Sequence, residues 1–136
     1  MKKLGAWILA GALAVFVAIQ FVPCPLQNPP VEVSVDWDSP RTRELFYRSC
    51  ADCHSNETVW PWYSRIAPVS WFTRGHVVDG RRDLNISERG EVEVDDLVRQ
   101  IRKGKMPLAS YTWLHPDARL TAEEQKELIR GLEETF

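Results

Sequence analysis

Arg48-Ser49-Cys50-Ala51-Asp52-Cys53-His54 is the stretch that decides how the chain is read. On a helical turn, positions i, i+3 and i+4 share a face, so Cys50, Cys53 and His54 are presented together. Two thiols and an imidazole at C-x-x-C-H spacing form the attachment site of a c-type haem. Cys50 and Cys53 would each bond a porphyrin vinyl group, and His54 would turn its ring to the iron as proximal ligand. The motif therefore predicts one covalent haem c, with its iron, and a domain arranged around it.

Upstream, Ser39-Pro40 marks a helix start, with Ser39 as cap and Pro40 in the first helical position. That helix turns Leu45 and Phe46 inward and delivers the chain to the motif. Downstream, Val59 to Phe72 is the most aromatic part of the sequence, broken by Pro61 and Pro68. Trp60, Trp62, Tyr63 and Trp71 are candidate walls of a haem pocket, or else ordinary core. The second nitrogen of His54 needs a fixed acceptor, and the carbonyl of Pro61 or Pro68 is the expected one. From Trp71 to Gly90 the periodicity is weak, and Arg74, His76 and Arg81-Arg82 are candidates to reach a haem propionate. Asn56-Glu57-Thr58 and Asn85-Ile86-Ser87 match glycosylation acceptors and read as chance.

Val94 to Gly104 is an amphipathic helix with Val94, Leu97, Val98 and Ile101 on its buried face and Gly104 as its stop. Lys105-Met106-Pro107 follows, and Met106 is the chain's internal methionine. A capping box at Thr121-Ala122-Glu123-Glu124 opens the last helix, whose stripe Leu128, Ile129 and Leu132 needs a partner. The helix of Leu45 and Phe46 is the natural one.

At the N-terminus, Lys2-Lys3 precede an apolar run from Leu4 to Val22, interrupted by Gln20, which would span about 28 Å as a helix. Residues 1–22 are thus expected to be an uncleaved transmembrane anchor, with a cleaved signal sequence as the alternative. With the lysines inside, the remainder faces outward. This gives a single-pass protein of the cytoplasmic membrane with its haem domain on the periplasmic or outer face, where such haem is attached. Residues 23–38 form a Pro-rich stalk and an extended arm, the arm alternating Val31, Val33, Val35 and Trp37 against polar positions. It is a strand without an obvious partner, or an arm lying on the domain. Residues 39–136 are the haem-binding domain. Cys24 reads as a free thiol, because Val22-Pro23 is not a lipoprotein signal.

Of the 136 residues, 17 are basic and 19 acidic, scattered without a basic block, which argues against a nucleic-acid partner. Three cysteines build no disulfide framework.

Helix, C-x-x-C-H, irregular pocket, methionine-proline and a final amphipathic helix together resemble a class I cytochrome c. The closer resemblance is to a bacterial family of membrane-anchored haem-binding-domain proteins. It rests on Asn28-Pro29-Pro30, Trp37-Asp38-Ser39-Pro40, Cys50 to Thr58, Trp60-Pro61-Trp62-Tyr63, Ile66 to Trp71, Gly80-Arg81-Arg82, Met106-Pro107-Leu108, Tyr111 and Leu114-His115-Pro116 through Leu120-Thr121. The resemblance implies a mainly α, small cytochrome c-like domain around one haem, with Met106 as the distal iron ligand opposite His54. His76 and His115 are the rival ligands.

The leading function is then a tethered monohaem electron carrier working by outer-sphere transfer with a redox partner that the sequence does not name. The alternative is a haem sensor or peroxidase-like enzyme with an open or displaceable sixth position, assisted by Arg74 or His76. A zinc site would need ligands from His54, His76 or His115 beside Cys50 and Cys53, and a thioredoxin-like pair would need a strand–helix–strand context.

Overall fold

The computed structural model describes residues 2–136, and among them the chain is helical, with seven α-helices and no strand. It forms two compact units, one of Met1–Gln27 with Trp60–His76, the other of Asn28–Val59 with Val77–Phe136. The aromatic segment therefore groups with the N-terminal residues.

In the first unit, α1 runs over Lys2–Ile19. The amides of Gln20, Phe21 and Val22 then bond three residues back, to Val17, Ala18 and Ile19, at 3.1–3.2 Å, which closes the helix in tight turns. The run expected to span to Val22 thus stops at Ile19. Among the described residues no helix is long and apolar enough to cross a membrane, so the predicted transmembrane helix is without support. Gln20 breaks the run for a visible reason: its side-chain amide donates to the Ala67 carbonyl at 3.1 Å and accepts from the Ala67 amide at 3.0 Å. A 3-10 turn at Trp62–Arg65 leads to α4, Val69–Asp83, a 15-residue helix where the sequence shows only weak periodicity. Its first half, up to His76, belongs to this unit.

The second unit is built on α2 (Pro40–Ser49), the single turn α3 (Ala51–His54), α5 (Val94–Arg102), α6 (Ala109–Leu114) and α7 (Ala122–Thr135), with the end of α4. Ser39 caps α2 through the Thr42 amide at 3.2 Å, and Thr121 and Glu124 complete the expected capping box of α7. α7 packs on α2 and α5, so that Leu45 and Phe46 meet Leu128, Ile129 and Leu132, with Val98 and Ile101 alongside. Burying such side chains is worth roughly 1.5–3 kcal/mol each and supplies the main stabilisation. Arg41 and Arg48 both pair with Glu124 across α2 and α7. Hydrogen bonds to the Thr121 amide and then to Arg48 hold the Glu124 carboxyl down to about 2.

The alternating stretch Val31–Trp37 is an extended arm. Glu32 and Val33 donate to the Ser87 carbonyl at 2.8 and 3.2 Å, while Val35 and Trp37 lie on the core. Trp37 packs against Phe46 with ring centres 5.1 Å apart and planes tilted by 45°.

Candidate functional site

The motif sits where α2 gives way to α3. Cys50 leaves helical geometry (φ −129°, ψ −37°), yet its amide still closes α2 on the Phe46 carbonyl at 2.8 Å. Its own carbonyl accepts from the amides of Cys53 and His54 at 3.1 and 3.0 Å, so the three motif side chains leave from one turn. Ala51 is buried in the core cluster beneath them.

His54 is held by α4. Its Nδ1 lies 3.0 Å from the carbonyl oxygen of Gly80 and 3.1 Å from that of Leu84. Carbonyls only accept, so Nδ1 carries the proton and donates, leaving the Nε2 lone pair available to a metal. The expected acceptors, the carbonyls of Pro61 and Pro68, are thereby replaced by that of Gly80 in α4 and that of Leu84 just past its end. The exchange depends on close packing: a Cβ placed on Gly80 would stand 2.6 Å from the Cys53 carbonyl oxygen and 3.0 Å from its Cβ. Glycine is what lets the last turns of α4 come down onto α3.

The thiols are neutral. Burial, with Cys53 alongside, pushes Cys50 up to about 12, and burial followed by the Asp52 charge pushes Cys53 up to about 11. Protonated thiols are the wrong form for a redox nucleophile. Among the described residues, no group of three or more His, Cys, Asp or Glu side chains could hold a metal ion, so the zinc alternative finds no cluster.

Asp52, nominally a variable position of the motif, ties three segments together. One carboxylate oxygen accepts from the Val59 amide at 2.8 Å, the other from the Tyr111 hydroxyl at 2.7 Å. Burial and this bond push the Tyr111 hydroxyl upward, keeping it protonated as a donor. The Asp52 carbonyl accepts from Thr58 at 2.7 Å. The two glycosylation-like tripeptides are structural: Asn85 donates to Asn56 Oδ1 at 2.9 Å, and the Asn56 amide donates to Ser87 Oγ at 2.9 Å. Both Asn56 and Ser87 are buried. Arg81 braces the same loop through the Ser55 carbonyl, Asn28 and Thr58, at 2.8–2.9 Å.

Met106 arrives by the end of α5. Gly104 takes φ +64°, the left-handed conformation that glycine tolerates best, and the amides of Lys105 and Met106 both return to the Gln100 carbonyl, at 3.0 and 3.4 Å. His54 and Met106, both half-buried, line one cavity of about 510 Å³, together with Arg81, Leu84, Arg89 and Leu97. That size is ordinary for a cofactor site.

The other candidates are placed differently. Trp60, Trp62, Tyr63 and Trp71 belong to the first unit, where Trp62 is 74% and Trp71 40% exposed. His76 is also there, edge-on to Phe72 with ring centres 4.3 Å apart. Arg74 in the same unit donates to the Pro25 carbonyl at 3.0 Å. His115 lies in the second unit, stacked on Tyr111 at 4.3 Å and donating from Nδ1 to its carbonyl at 3.1 Å. Arg82 lines the cavity and pairs with Asp79 at 2.9 Å. Sequence alone missed the Gly80 and Leu84 acceptors and the Asp52–Tyr111 bond. Gly80, directly before the basic pair Arg81-Arg82 in an otherwise unpatterned stretch, was the available signal.

A helical unit with one imidazole whose metal-binding nitrogen is left free, two neutral thiols on the same turn and a thioether on the same cavity defines a cofactor-binding domain suited to haem. The chain belongs to the haem-binding domain family, whose model matches residues 14–134. Neither a curated protein nor a solved structure matches it. Haem is accordingly its cofactor.

Proposed function

We propose that this haem-binding protein is a cytochrome c-like electron carrier, with one haem attached covalently through Cys50 and Cys53 and its iron held by His54 and Met106. The observation that carries the reading is the pinned His54 ring sharing its cavity with Met106. Haem supplies a one-electron iron couple. The two carbonyl bonds to Nδ1 fix the tautomer and orientation of His54, which favours a ligand that does not rearrange between oxidation states. A neutral thioether from Met106 favours the reduced state and raises the potential. Arg81 and Arg82 offer positive charge to acidic edges of the cofactor, Arg81 from a position already braced by three hydrogen-bond acceptors.

The proposed location is the outer face of the cytoplasmic membrane, where thioether-linked haem is made, with the apolar residues of α1 as the tether. In support, Trp7, Leu9 and Leu13 of α1 are more than 60% exposed, an apolar surface that lipid would cover.

Haem staining of a denaturing gel tests the covalent step, since only a thioether-linked cofactor stays with the chain; a colourless band overturns it. The oxidised spectrum should show a sulfur-to-iron charge-transfer band that Met106→Ala abolishes. A band that survives that substitution removes Met106 as ligand. Immediate stoichiometric carbon monoxide binding by the reduced wild-type protein would instead favour a gas sensor or peroxidase-like enzyme.

A further inference from the structure

The two units differ in charge more sharply than in size. All 19 acidic residues lie in the second unit, against 13 basic ones. The first unit contains no acidic residue, and its charged side chains are Lys2, Lys3, Arg65 and Arg74. Outside α1 it exposes a run of large apolar side chains close together in sequence: Trp62 is 74%, Phe72 59%, Val69 41%, Trp71 40% and Ile66 37% exposed, whereas those of the second unit, such as Val59, Trp113 and Phe136, are scattered. Tryptophan and arginine side by side, with carboxylates excluded, is the composition of a protein surface that sits at the level of lipid headgroups.

A second feature of the unit points the same way. Just past α1, a cavity of about 360 Å³ is lined by Cys24, Ser64, Arg65 and Ser70. Ser64 is 1% exposed, and its buried hydroxyl has no hydrogen-bond partner. Arg65, on the wall of that cavity and itself exposed, offers a guanidinium to a phosphodiester oxygen.

From these features we infer that Trp62–Phe72 is a second membrane-contacting surface, one that docks on anionic phospholipid with Arg65 receiving a headgroup phosphate. This goes beyond the tether, which involves α1 alone, and is independent of how haem is bound. Arg65 and Arg74 supply the attraction to anionic headgroups, and the aromatic rings enter the interfacial layer.

The test is hydroxyl-radical labelling of the full-length haem-loaded protein, read residue by residue by mass spectrometry, with phosphatidylcholine vesicles or vesicles containing three parts in ten phosphatidylglycerol. Anionic vesicles should protect Trp62, Trp71 and Phe72, while Trp113 of the second unit, as exposed as Trp62 at 74%, stays labelled. Phosphatidylcholine alone should protect them less. Arg65→Gln with Arg74→Gln should reduce the protection at a given lipid concentration by about 30-fold in the lipid needed. Protection of Trp7 without Trp62 overturns this inference and leaves the tether standing; protection of neither overturns both. Protection of Trp62 without vesicles, growing with protein concentration, would mean a second copy covers the surface and also overturns it. Equal protection by both lipids, unchanged in the arginine variant, removes the phosphate contact.

Discussion

His54 and Met106 share a cavity but are held in opposite ways. The His54 ring is fixed by two carbonyls, one in another helix and one just past its end, on a turn that α4 approaches too closely for any side chain at position 80. Met106 is brought in by the turn after α5, through backbone bonds to Gln100, and no side-chain hydrogen bond steadies it. One side of the site is determined by tertiary packing and the other by a local turn. The difference teaches that the imidazole is the fixed reference of the site and the thioether its adjustable part, which is where a change of ligand or potential would enter.

The strongest way to break this comparison is to remove the attachment on the fixed side. Cys50→Ala with Cys53→Ala should yield little stable protein and no haem-stained band, because a unit of this size has a limited core of its own. Recovery of a cooperatively melting haem-free chain, followed by circular dichroism, would show that packing at His54 does not need the cofactor. Gly80→Ala comes next. Its methyl group must displace the Cys53 backbone, and thermal or urea melts should show a loss of about 2–3 kcal/mol together with a disturbed haem spectrum.

On the adjustable side, Gly104→Ala puts a side chain at positive φ and should cost about 1 kcal/mol, with the charge-transfer band weakened and His54 ligation intact. A larger loss from Gly104→Ala than from Gly80→Ala would reverse the assignment of fixed and adjustable sides. The smallest effect belongs to neither side. Glu124 ionises near 2 when folded, against an ordinary 4.5, so its contribution is complete above about pH 4.5 and is lost as the pH falls through about 2. Glu124→Gln should flatten the fall of Tm across that window and leave the haem spectrum untouched.

The same contrast explains what could be read from the sequence. Signals confined to a few neighbouring residues carried through: Ser39-Pro40 opens α2, Thr121 and Glu124 cap α7, Gly104 ends the turn after α5, and the apolar stripes of α2 and α7 meet. The 15-residue α4 was hidden because its apolar residues do not keep to one face, and Gly75 and Gly80 lower helix propensity. The acceptors for His54 were hidden with it, since a backbone carbonyl leaves no trace in side-chain pattern. Gln20 looked like a blemish in an apolar run, and its reason lies 47 residues away at Ala67. Val31–Trp37 alternates like a strand because one side of an arm faces the core, and that side is all the alternation reports.

Asp52 carries a last consequence. C-x-x-C-H is written with two open letters, as if the motif stored information in three residues and spacing. Here Ala51 is a core residue and Asp52 serves Val59 and Tyr111 at once, so neither letter is open in this chain. A library randomised at 51 and 52 should return few folded members, and those with the widest departures at 52 should carry a compensating change at 111. The motif's apparent freedom belongs to the collection of sequences that share it, and each fold spends that freedom in its own way.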